Sequence, residues 1–412
     1  MNIDGIKVYN QSDCIFNSSG YHTVYVLMNL EKVERLNLFY SKQLKSVRFA
    51  KNLNTLNIKS MSYMFDGCSS LTYVDFSNFN TENVVDMKYM FSSCNSLTSI
   101  DLSHFNTKNV LYMDYMFYVC ESLISVDLSK LNLSLVTSMS FMFRGCHSLE
   151  SINLSNLNLA KLEDASGMFF QDRNLTTVNF KNIRTPNLLR MDQMFYSCTS
   201  LKFVDFSTLN TSKVISFYQL FEMCYNLTSV DMSNFITDSA NNFYGMFDCC
   251  FSLTSINILH FNFSNATTLK YMFNACTKLK TIDISSMKTD NIIEFYDTFA
   301  FCHSLESIKM PKSIIKASDL SGLFSKCNSL TSVDLSCIDN SNVLNYGNMF
   351  SGCTNLSSID ISSFRIPTNA KPDLVFDIFD NNMPNYGHIK INKEFYNRTN
   401  KELIDKWDIN FI

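Results

Sequence analysis

The sequence contains the stretch Met90-Phe91-Ser92-Ser93-Cys94, followed by Leu97 and Ile100-Asp101-Leu102-Ser103, and this pattern returns along most of the 412 residues. Its phenylalanine recurs at Phe65, Phe91, Phe117, Phe143, Phe169, Phe195, Phe221, Phe247, Phe273, Phe299, Phe324 and Phe350. Ten of the eleven intervals are 26 residues, and only Phe299 to Phe324 is one residue shorter. A period this strict predicts a solenoid, in which each repeat forms one coil and buries its apolar side against neighbouring coils.

Each repeat predicts one strand and one helical turn. From Leu71 to Phe79, apolar and polar residues alternate as they do in a strand with one buried face. From Val84 to Phe91, apolar residues stand at i, i+3, i+6 and i+7, which is the spacing of one helix face, and Thr81 or Asn83 is placed to cap that helix. We therefore predict an α/β solenoid of about twelve 26-residue coils, each with one short parallel strand and one short helical turn. The strands are expected to stack into one long sheet.

Cysteine occupies one repeat position, three residues after the phenylalanine, in eleven of the twelve units. These residues are Cys68, Cys94, Cys120, Cys146, Cys198, Cys224, Cys250, Cys276, Cys302, Cys327 and Cys353, and Asp172 is the exception. A position fixed by the repeat suits a small buried side chain, and stacked coils with parallel Cβ vectors give poor disulfide geometry. We expect free, packed thiols and no zinc site, because Cys-x-x-Cys and Cys/His ligand spacings are absent.

The repeat pattern divides the chain into an N-terminal cap with degenerate repeats (1–63), a solenoid (64–374) and a C-terminal cap (375–412). In the first cap, Tyr21–Leu27 alternates as a strand does, and Leu36–Phe39 and Leu44–Phe49 look like degraded coils. Such a segment would cover the open end of the sheet, which would otherwise expose unpaired backbone groups.

The C-terminal cap is predicted to contain a degenerate repeat, a strand and a helix. Val375–Phe379 falls in register as a thirteenth start without methionine or cysteine. Ile389–Ile391 can add a last strand, and Glu394–Trp407 has the pattern of an amphipathic helix that could close the core.

Composition and charge exclude some classes of protein. The net charge of −4 gives no general attraction for nucleic acid, and no apolar run is long enough to span a bilayer. The segment Met1–Ile6 lacks the charged and apolar regions of a signal peptide. The chain as given is therefore expected to stay in the cytoplasm, unless it is trimmed or exported by another route, and to be a monomer.

The repeat resembles the BspA-like class of leucine-rich repeats. The resemblance covers residues 64 to about 374 and rests on Met90-Phe91, Cys94, Leu97, Ile100-Asp101-Leu102-Ser103, Phe105, Thr107, Val110 and Met113. It implies a right-handed leucine-rich-repeat solenoid, used for adhesion or protein binding on a cell surface, without catalytic residues. Surface display or secretion and a cytoplasmic location therefore both remain open.

The predicted outward face of the sheet carries a line of acidic residues, which we call the aspartate column. Its acidic members are Asp75, Asp101, Asp127, Asp205, Asp231, Asp283, Asp334 and Asp360, and serine usually follows two residues later. Like charges side by side on a sheet repel each other, so something must relieve the charge. Serine hydroxyls could donate hydrogen bonds to the carboxylates of a solvated face. Alternatively, the column could bind cations such as Ca²⁺, or a basic partner.

Two coils depart from the repeat: the coil of Asp172, which also carries Lys181, Arg184 and Pro186, and the coil of Thr298, which is one residue short and carries Lys309, Pro311, Lys312 and Lys316. Lys309 and Pro311 should interrupt both outward ladders. Such deviations are either drift of an imperfect copy or the features that distinguish a binding site from its scaffold. We expect Lys309, Lys312 and Lys316 to mark the most important binding region.

No catalytic motif is visible. The six histidines form no His-Glu-x-x-His motif, and no glycine-rich phosphate loop is present. We therefore predict a non-enzymatic binding or adhesion module, without cofactor or metal, that presents its Ser/Asp-rich face to a protein or glycan. The alternatives are a cytosolic interaction scaffold of the same fold and, more remotely, a parallel β-helix carbohydrate enzyme.

Overall fold

The structure is a computed structural model of the whole chain. It describes residues 2–3, 6–7, 24–25, 30, 32–36, 41–51, 53–367, 377–379, 384, 386–399, 401, 404–405 and 407–412. Parts of the predicted degenerate repeats, including 37–39 and 375–376, lie outside the described residues.

The described chain is a parallel β-solenoid that buries one continuous hydrophobic core. Its elements are β1 Asn2–Ile3, β2 Ile6–Lys7, β3 Val24–Tyr25, β4 Ser46–Arg48, β5 Tyr73–Asp75, β6 Ser151–Asn153, β7 Thr177–Asn179, β8 Phe203–Asp205, β9 Ser229–Asp231, β10 Thr281–Asp283, β11 Ser307–Lys309, β12 Ser332–Asp334, β13 Ser358–Ile361, β14 His388–Ile391, α1 Lys393–Tyr396 and β15 Asp408–Phe411. β1 to β3 form a small antiparallel sheet, and the later strands pair in parallel with the matching strand of the next coil. β4, which lies within Leu44–Phe49, pairs in parallel with β5 of the first full repeat.

The predicted continuous sheet is instead four separate sheets, ordered β4-β5, β6-β7-β8-β9, β10-β11 and β12-β13-β14-β15. The coils around Asp101, Asp127 and Asn257 contain no regular strand. A strand needs consecutive bonds between coils, and here isolated bonds stand in their place. The Ile124 N–H, for example, donates to the Thr98 carbonyl at 2.9 Å. The prediction of one strand in every coil is therefore wrong for these three coils.

The predicted helical turn in each coil is also wrong. Among the described residues the only α-helix is α1, near the C-terminus. Alternate N–H groups in this half of the coil donate to the next coil, as Met87 does to the Tyr112 carbonyl at 3.0 Å and Phe91 to the Met116 carbonyl at 2.9 Å. The N–H groups between them close short turns, as Met90 does to the Met87 carbonyl at 3.3 Å. The backbone bonds between coils leave too few groups to build a helix.

These turns require left-handed backbone at two places in each coil. The residues two before and two after the repeat phenylalanine have positive φ, as at Tyr89 (55°) and Ser93 (57°). A helix cannot pass through such residues. Thr81 therefore caps no helix: its hydroxyl donates to the Asn106 carbonyl at 3.2 Å and accepts from the Asn106 N–H at 2.8 Å. The Asn83 amide likewise joins coils, donating to the Leu56 carbonyl at 2.8 Å.

A second parallel ladder runs along this half of the coils. It consists of single-residue bridges that lead without a gap from Arg35 through Ser60, Asp86 and the matching residue of each later coil to Asn345. The coils are thus held to their neighbours on two sides, by this ladder and by the strand segments or, in the three coils without a strand, by isolated hydrogen bonds.

The repeat phenylalanines form the centre of the core, as a stack that we call the phenylalanine ladder. All are at most 2% exposed, and successive rings lie nearly parallel, with centroids 5.5 Å apart for Phe91 and Phe117. The predicted inward side chains of the strand half, such as Leu71 and Val74, are also buried. Deleting one ring would remove contacts to both neighbouring coils.

The eleven repeat cysteines form a second internal column, the cysteine ladder, and all are buried free thiols. Their role is more specific than small apolar packing. The Sγ–H of Cys120 donates to the Phe91 carbonyl at 3.0 Å, and that of Cys224 donates to the Phe195 carbonyl at 3.1 Å. Burial raises the pKa of the Cys120 thiol to about 12, so the donor proton is retained. The thiol thus satisfies a carbonyl that a purely apolar side chain would leave unpaired.

The C-terminal cap differs from the prediction in two places. Phe379 stacks on Phe350 with centroids 6.1 Å apart, three residues later than the expected thirteenth start at Phe376, which lies outside the described residues. The predicted strand is present as β14, whereas α1 is the only α-helix among the described residues of the predicted helix Glu394–Trp407. The chain must return to the sheet within a few residues, because β15 pairs in parallel with β14.

Candidate binding surface on the sheet face

The aspartate column forms turns that end the strands. The Ser103 N–H donates to the Asp101 Oδ1 at 2.8 Å, and the same bond from the residue two positions later recurs along the column. Asn179 makes the bond equally well, accepting the Lys181 N–H at 3.0 Å, which explains why asparagine replaces aspartate in some coils. An oxygen acceptor that fixes a turn two residues on is a common use of both residues.

Hydrogen bonding also relieves the charge of the column. Bonds from the serine two residues later lower the pKa of Asp75, Asp101, Asp127 and Asp231. At Asp283, Ser285 is again the main cause and Lys309 adds to it, so that the pKa falls to about 2. Within the described residues, no three histidine, cysteine or acidic side chains group as metal ligands would. The geometry favours the interpretation of the column as part of the repeat scaffold over that of a cation site.

The predicted lysines of the coil from Thr298 occupy different environments. Lys309 lies on β11 opposite Asp283, and its Nζ is 2.9 Å from the Asp283 Oδ2. This lysine therefore neutralises part of the column. The Lys316 Nζ donates to the Asn291 Oδ1 at 2.6 Å, and the Lys312 side chain is exposed.

Pro311 is buried, so the prediction that it interrupts an outward ladder is wrong. In the preceding coil the strand is followed by a turn, closed by the Met287 N–H and the Ile284 carbonyl at 3.0 Å. The coil of Pro311 is one residue shorter and forms no such turn, and its proline is placed inside.

The sheet face becomes concave at its C-terminal end. A cavity of about 450 Å³ crosses β11 to β15. Its polar and charged lining consists of Ser307, Ser332, Asp334, Ser358, Asp360, His388, Lys390, Asp408 and Asn410. We call this surface the C-terminal groove.

The C-terminal groove carries charged groups of both signs. The Lys390 Nζ lies 3.2 Å from the Asp360 Oδ2, and the His388 Nδ1 lies 2.9 Å from the Asp408 Oδ2. Sequence reasoning placed Asp334 and Asp360 on this face but missed His388 and Asp408. The signal for Asp408 was the alternation of Asp408–Phe411, directly after the predicted helix, for which no strand was predicted.

In the other irregular coil, the residue that departs from the repeat lies inside the core. Asp172 is fully buried, with its Oδ1 accepting the Cys146 N–H at 2.8 Å, and it contributes nothing to the surface. Lys181 and Arg184 of the same coil are exposed. No helix among the described residues has the length and apolar character required to cross a membrane.

Comparisons with known proteins agree with this architecture. The sequence matches the family described as "Mycoplasma protein of unknown function, DUF285" over residues 34–150, 120–229 and 189–310. It also matches the "BspA type Leucine rich repeat region", in six copies, over residues 270–370. No curated protein matches the chain.

The similar solved structures include bacterial leucine-rich repeat proteins. A leucine-rich repeat protein from Bacteroides ovatus is 20% identical, with 90% of this chain and 84% of that chain covered and a TM-score of 0.42. A leucine-rich cell surface protein from Faecalibacterium prausnitzii is 15% identical, with 88% and 84% covered and a TM-score of 0.34. Because the first family covers residues 34–310, well over half of the sequence, the chain belongs to the DUF285 family of Mycoplasma proteins and carries BspA-type leucine-rich repeats in its C-terminal part.

Proposed function

We propose that this protein is a non-enzymatic binding or adhesion module that presents its sheet face to a protein or glycan partner. The observation that carries the proposal is the C-terminal groove, where mixed charges and concavity replace the uniform column. Binding sites are usually concave and combine a few placed polar groups with a larger contact area.

The uniform part of the face provides contact area but few features that would hold a partner at one place along it. Sliding a partner by one coil restores nearly the same serines and aspartates, so a specific partner needs features that mark one place on the solenoid. The groove supplies them, because Asp334 lies between the lysine of β11 and Asp360, and Lys390 and His388 follow on β14.

The lysines beside the groove extend its positive charge. Lys309 is paired with Asp283, so part of its charge is already used inside the column. Lys312 and Lys316 lie on the rim of the same coil and are exposed. Charges in such positions improve the rate and specificity of association more than its final affinity.

Charge reversal tests the proposal. The protein would be screened against a glycan array and an array of extracellular proteins. Hits would be remeasured with the double variant Lys309→Glu and Lys390→Glu, and with the triple variant Lys309→Glu, Lys312→Glu and Lys316→Glu. We expect folded variants to associate more slowly and to bind about tenfold more weakly or worse, because charge reversal sets like charges against the partner.

The matched control is the double variant Lys130→Glu and Lys161→Glu, which reverses two exposed lysines in other coils. Equal binding by the groove variants and this control would show that the partner contacts another surface.

Location separates this proposal from a cytosolic scaffold of the same fold. Mild protease treatment of intact cells should remove the protein if it is displayed on the surface, while a cytosolic marker remains intact. Protection equal to that of the marker would favour the scaffold. Turnover in a polysaccharide hydrolysis screen would revive the carbohydrate-enzyme alternative.

A further inference from the structure

The residue directly after each repeat phenylalanine forms a column on the turn side of the coils, away from the sheet face. In four successive coils this column consists of stacked planar groups. The Arg144 Cζ lies 5.5 Å from the ring centroid of Tyr118 and 4.4 Å from that of Phe170. Phe170 stacks on Tyr196 with centroids 4.5 Å apart. We call these four residues the planar column.

The planar column stops at Tyr118, because the two preceding coils have Asp66 and Ser92 at this position. Coils are about 4.8 Å apart, so a side chain shorter than a ring leaves open space beyond its tip. Ser92 itself is buried, at 3% exposure, at the floor of that space. An open cavity of about 530 Å³ occupies this place and is lined by Tyr118 at one end and by Tyr63 and Tyr89 along one side. Arg144 covers one face of Tyr118, and the cavity borders the side towards Ser92.

The side wall of the cavity is rigid. Tyr63 stacks on Tyr89 with centroids 4.7 Å apart, and Tyr89 stacks on Tyr115 at 4.5 Å. Their ring faces are occupied by each other, so the edges and hydroxyl groups are what they can offer to the cavity. A wall fixed in this way loses little conformational entropy when a ligand binds.

The remaining lining is rich in neutral hydrogen-bonding groups. Ser69, Ser92 and Ser93 carry hydroxyl groups. In the amide orientation that satisfies its neighbours, the Asn95 nitrogen donates to the Ser93 carbonyl at 2.8 Å and to the Val119 carbonyl at 3.1 Å, which leaves the amide oxygen to accept from a ligand. Tyrosine, serine and asparagine together provide rigid contact area and adaptable hydrogen bonds.

We propose that this cavity binds the pyranose ring of a neutral sugar, stacked on Tyr118 in the place of the missing planar layer. The ring would lie above Ser92, and its hydroxyl groups would exchange hydrogen bonds with Ser93, Asn95 and Asp66. Charged lining is limited to one carboxylate, Asp66, and one ammonium, Lys42, which suits a neutral ligand rich in hydroxyl groups. This site lies on another side of the coils from the C-terminal groove and is independent of it.

The test uses the full chain and a panel of free sugars: glucose, galactose, mannose, N-acetylglucosamine, lactose, maltose and cellobiose. Saturation-transfer NMR detects binding at millimolar sugar, and titration gives Kd. We expect at least one sugar to bind. Tyr118→Ala should weaken that binding at least about tenfold, as loss of a central aromatic contact does.

A second variant guards against misfolding. Ser92→Tyr fills the missing layer with a side chain that this repeat position already holds at Tyr118, so it should fold and abolish sugar binding. Ser325→Tyr is the matched control, because it makes the same change at the same repeat position in a distant coil and should leave binding unchanged. Failure of every sugar to bind, or full binding by Ser92→Tyr, would overturn the proposal. So would binding of adenine, a flat aromatic base without a sugar, in preference to all the sugars.

Discussion

Asp172 carries a carboxyl group where the other coils carry a thiol, and it provides the sharpest test of the core. The side chain is 0% exposed. Its Oδ1 accepts the Cys146 N–H at 2.8 Å, while its Oδ2 has no hydrogen-bond partner among the described residues. Burial raises the pKa of Asp172 well above its usual range. We therefore expect the carboxyl group to be protonated in the folded protein at neutral pH.

The hydrogen bonds of the cysteine ladder indicate which group the proton of the Asp172 carboxyl would face. The neighbouring thiol of Cys198 donates to the Phe169 carbonyl, 29 residues earlier, at 2.9 Å. In the same register a protonated Asp172 faces the Phe143 carbonyl. The variant Asp172→Asn keeps the shape of the side chain and can make both bonds, accepting from Cys146 and donating to Phe143, without a titrating group.

The sign of the pH dependence follows from the raised pKa. The folded state holds the proton of Asp172 more tightly than the unfolded state, whose pKa is about 3.9. The favourable contribution is therefore complete below about pH 4 and is lost as the pH rises through the folded pKa. Relative to Asp172→Asn, the wild-type free energy of unfolding should fall by about 1.4 kcal/mol for each pH unit in that window. Two pH units within it amount to about 2.7 kcal/mol.

Urea unfolding followed by circular dichroism, at several values between about pH 5 and about pH 8, measures this difference. Glu222, whose pKa burial raises to about 7, titrates in wild type and variant alike and cancels in the comparison. The control Asp231→Asn should show no advantage that grows with pH, because hydrogen bonds lower the pKa of Asp231. A pH-independent difference for Asp172→Asn would refute the neutral carboxyl group.

Three further predictions concern the scaffold. Phe221→Ala should lower the free energy of unfolding by about 3–5 kcal/mol, since it removes a fully buried ring of the phenylalanine ladder. Asp231→Ala, at an exposed turn, should lower it by under about 1.5 kcal/mol, and equal shifts of the urea midpoint would contradict this. Gly167→Ala should lower the thermal unfolding midpoint more than Gly145→Ala does. Both glycines have positive φ, but only at Gly167 would a Cβ overlap the Phe141 ring. The reverse order would show that the ring can move aside. Thiol titration should find few reactive cysteines in the native protein and most of the fourteen after denaturation, and mass spectrometry that found bridges between ladder cysteines would disprove this.

Much of the fold could be predicted from the period and the burial pattern. The recurrence of Phe91 every 26 residues predicted stacked coils, and the alternation from Leu71 to Phe79 predicted which side chains point inward. Both signals are local and are repeated twelve times, so chance variation in one coil does not obscure them. The same regularity placed Lys309 in the aspartate column, where the structure pairs it with Asp283.

The candidate site was only partly predictable. The aspartate column is part of the repeat pattern, and the lysines of the short coil interrupt that pattern. Both features are visible in the sequence. His388 and Asp408 are not part of any repeat, and they join the groove only because β14 and β15 extend the sheet. The cavity beside Tyr118 was missed because it depends on what two small neighbouring residues leave open.

The sequence by itself determined the coil length, the buried face and the stacked phenylalanines, because the buried side chains recur at a fixed period along the sequence. Only the tertiary structure decided how the second half of each coil is bonded. The spacing from Val84 to Phe91 reports which side chains are buried, and it is the same for a helix and for a run of turns. The choice depends on backbone partners 25 residues away, such as the Tyr112 carbonyl for the Met87 N–H, and these exist only once the coils have stacked.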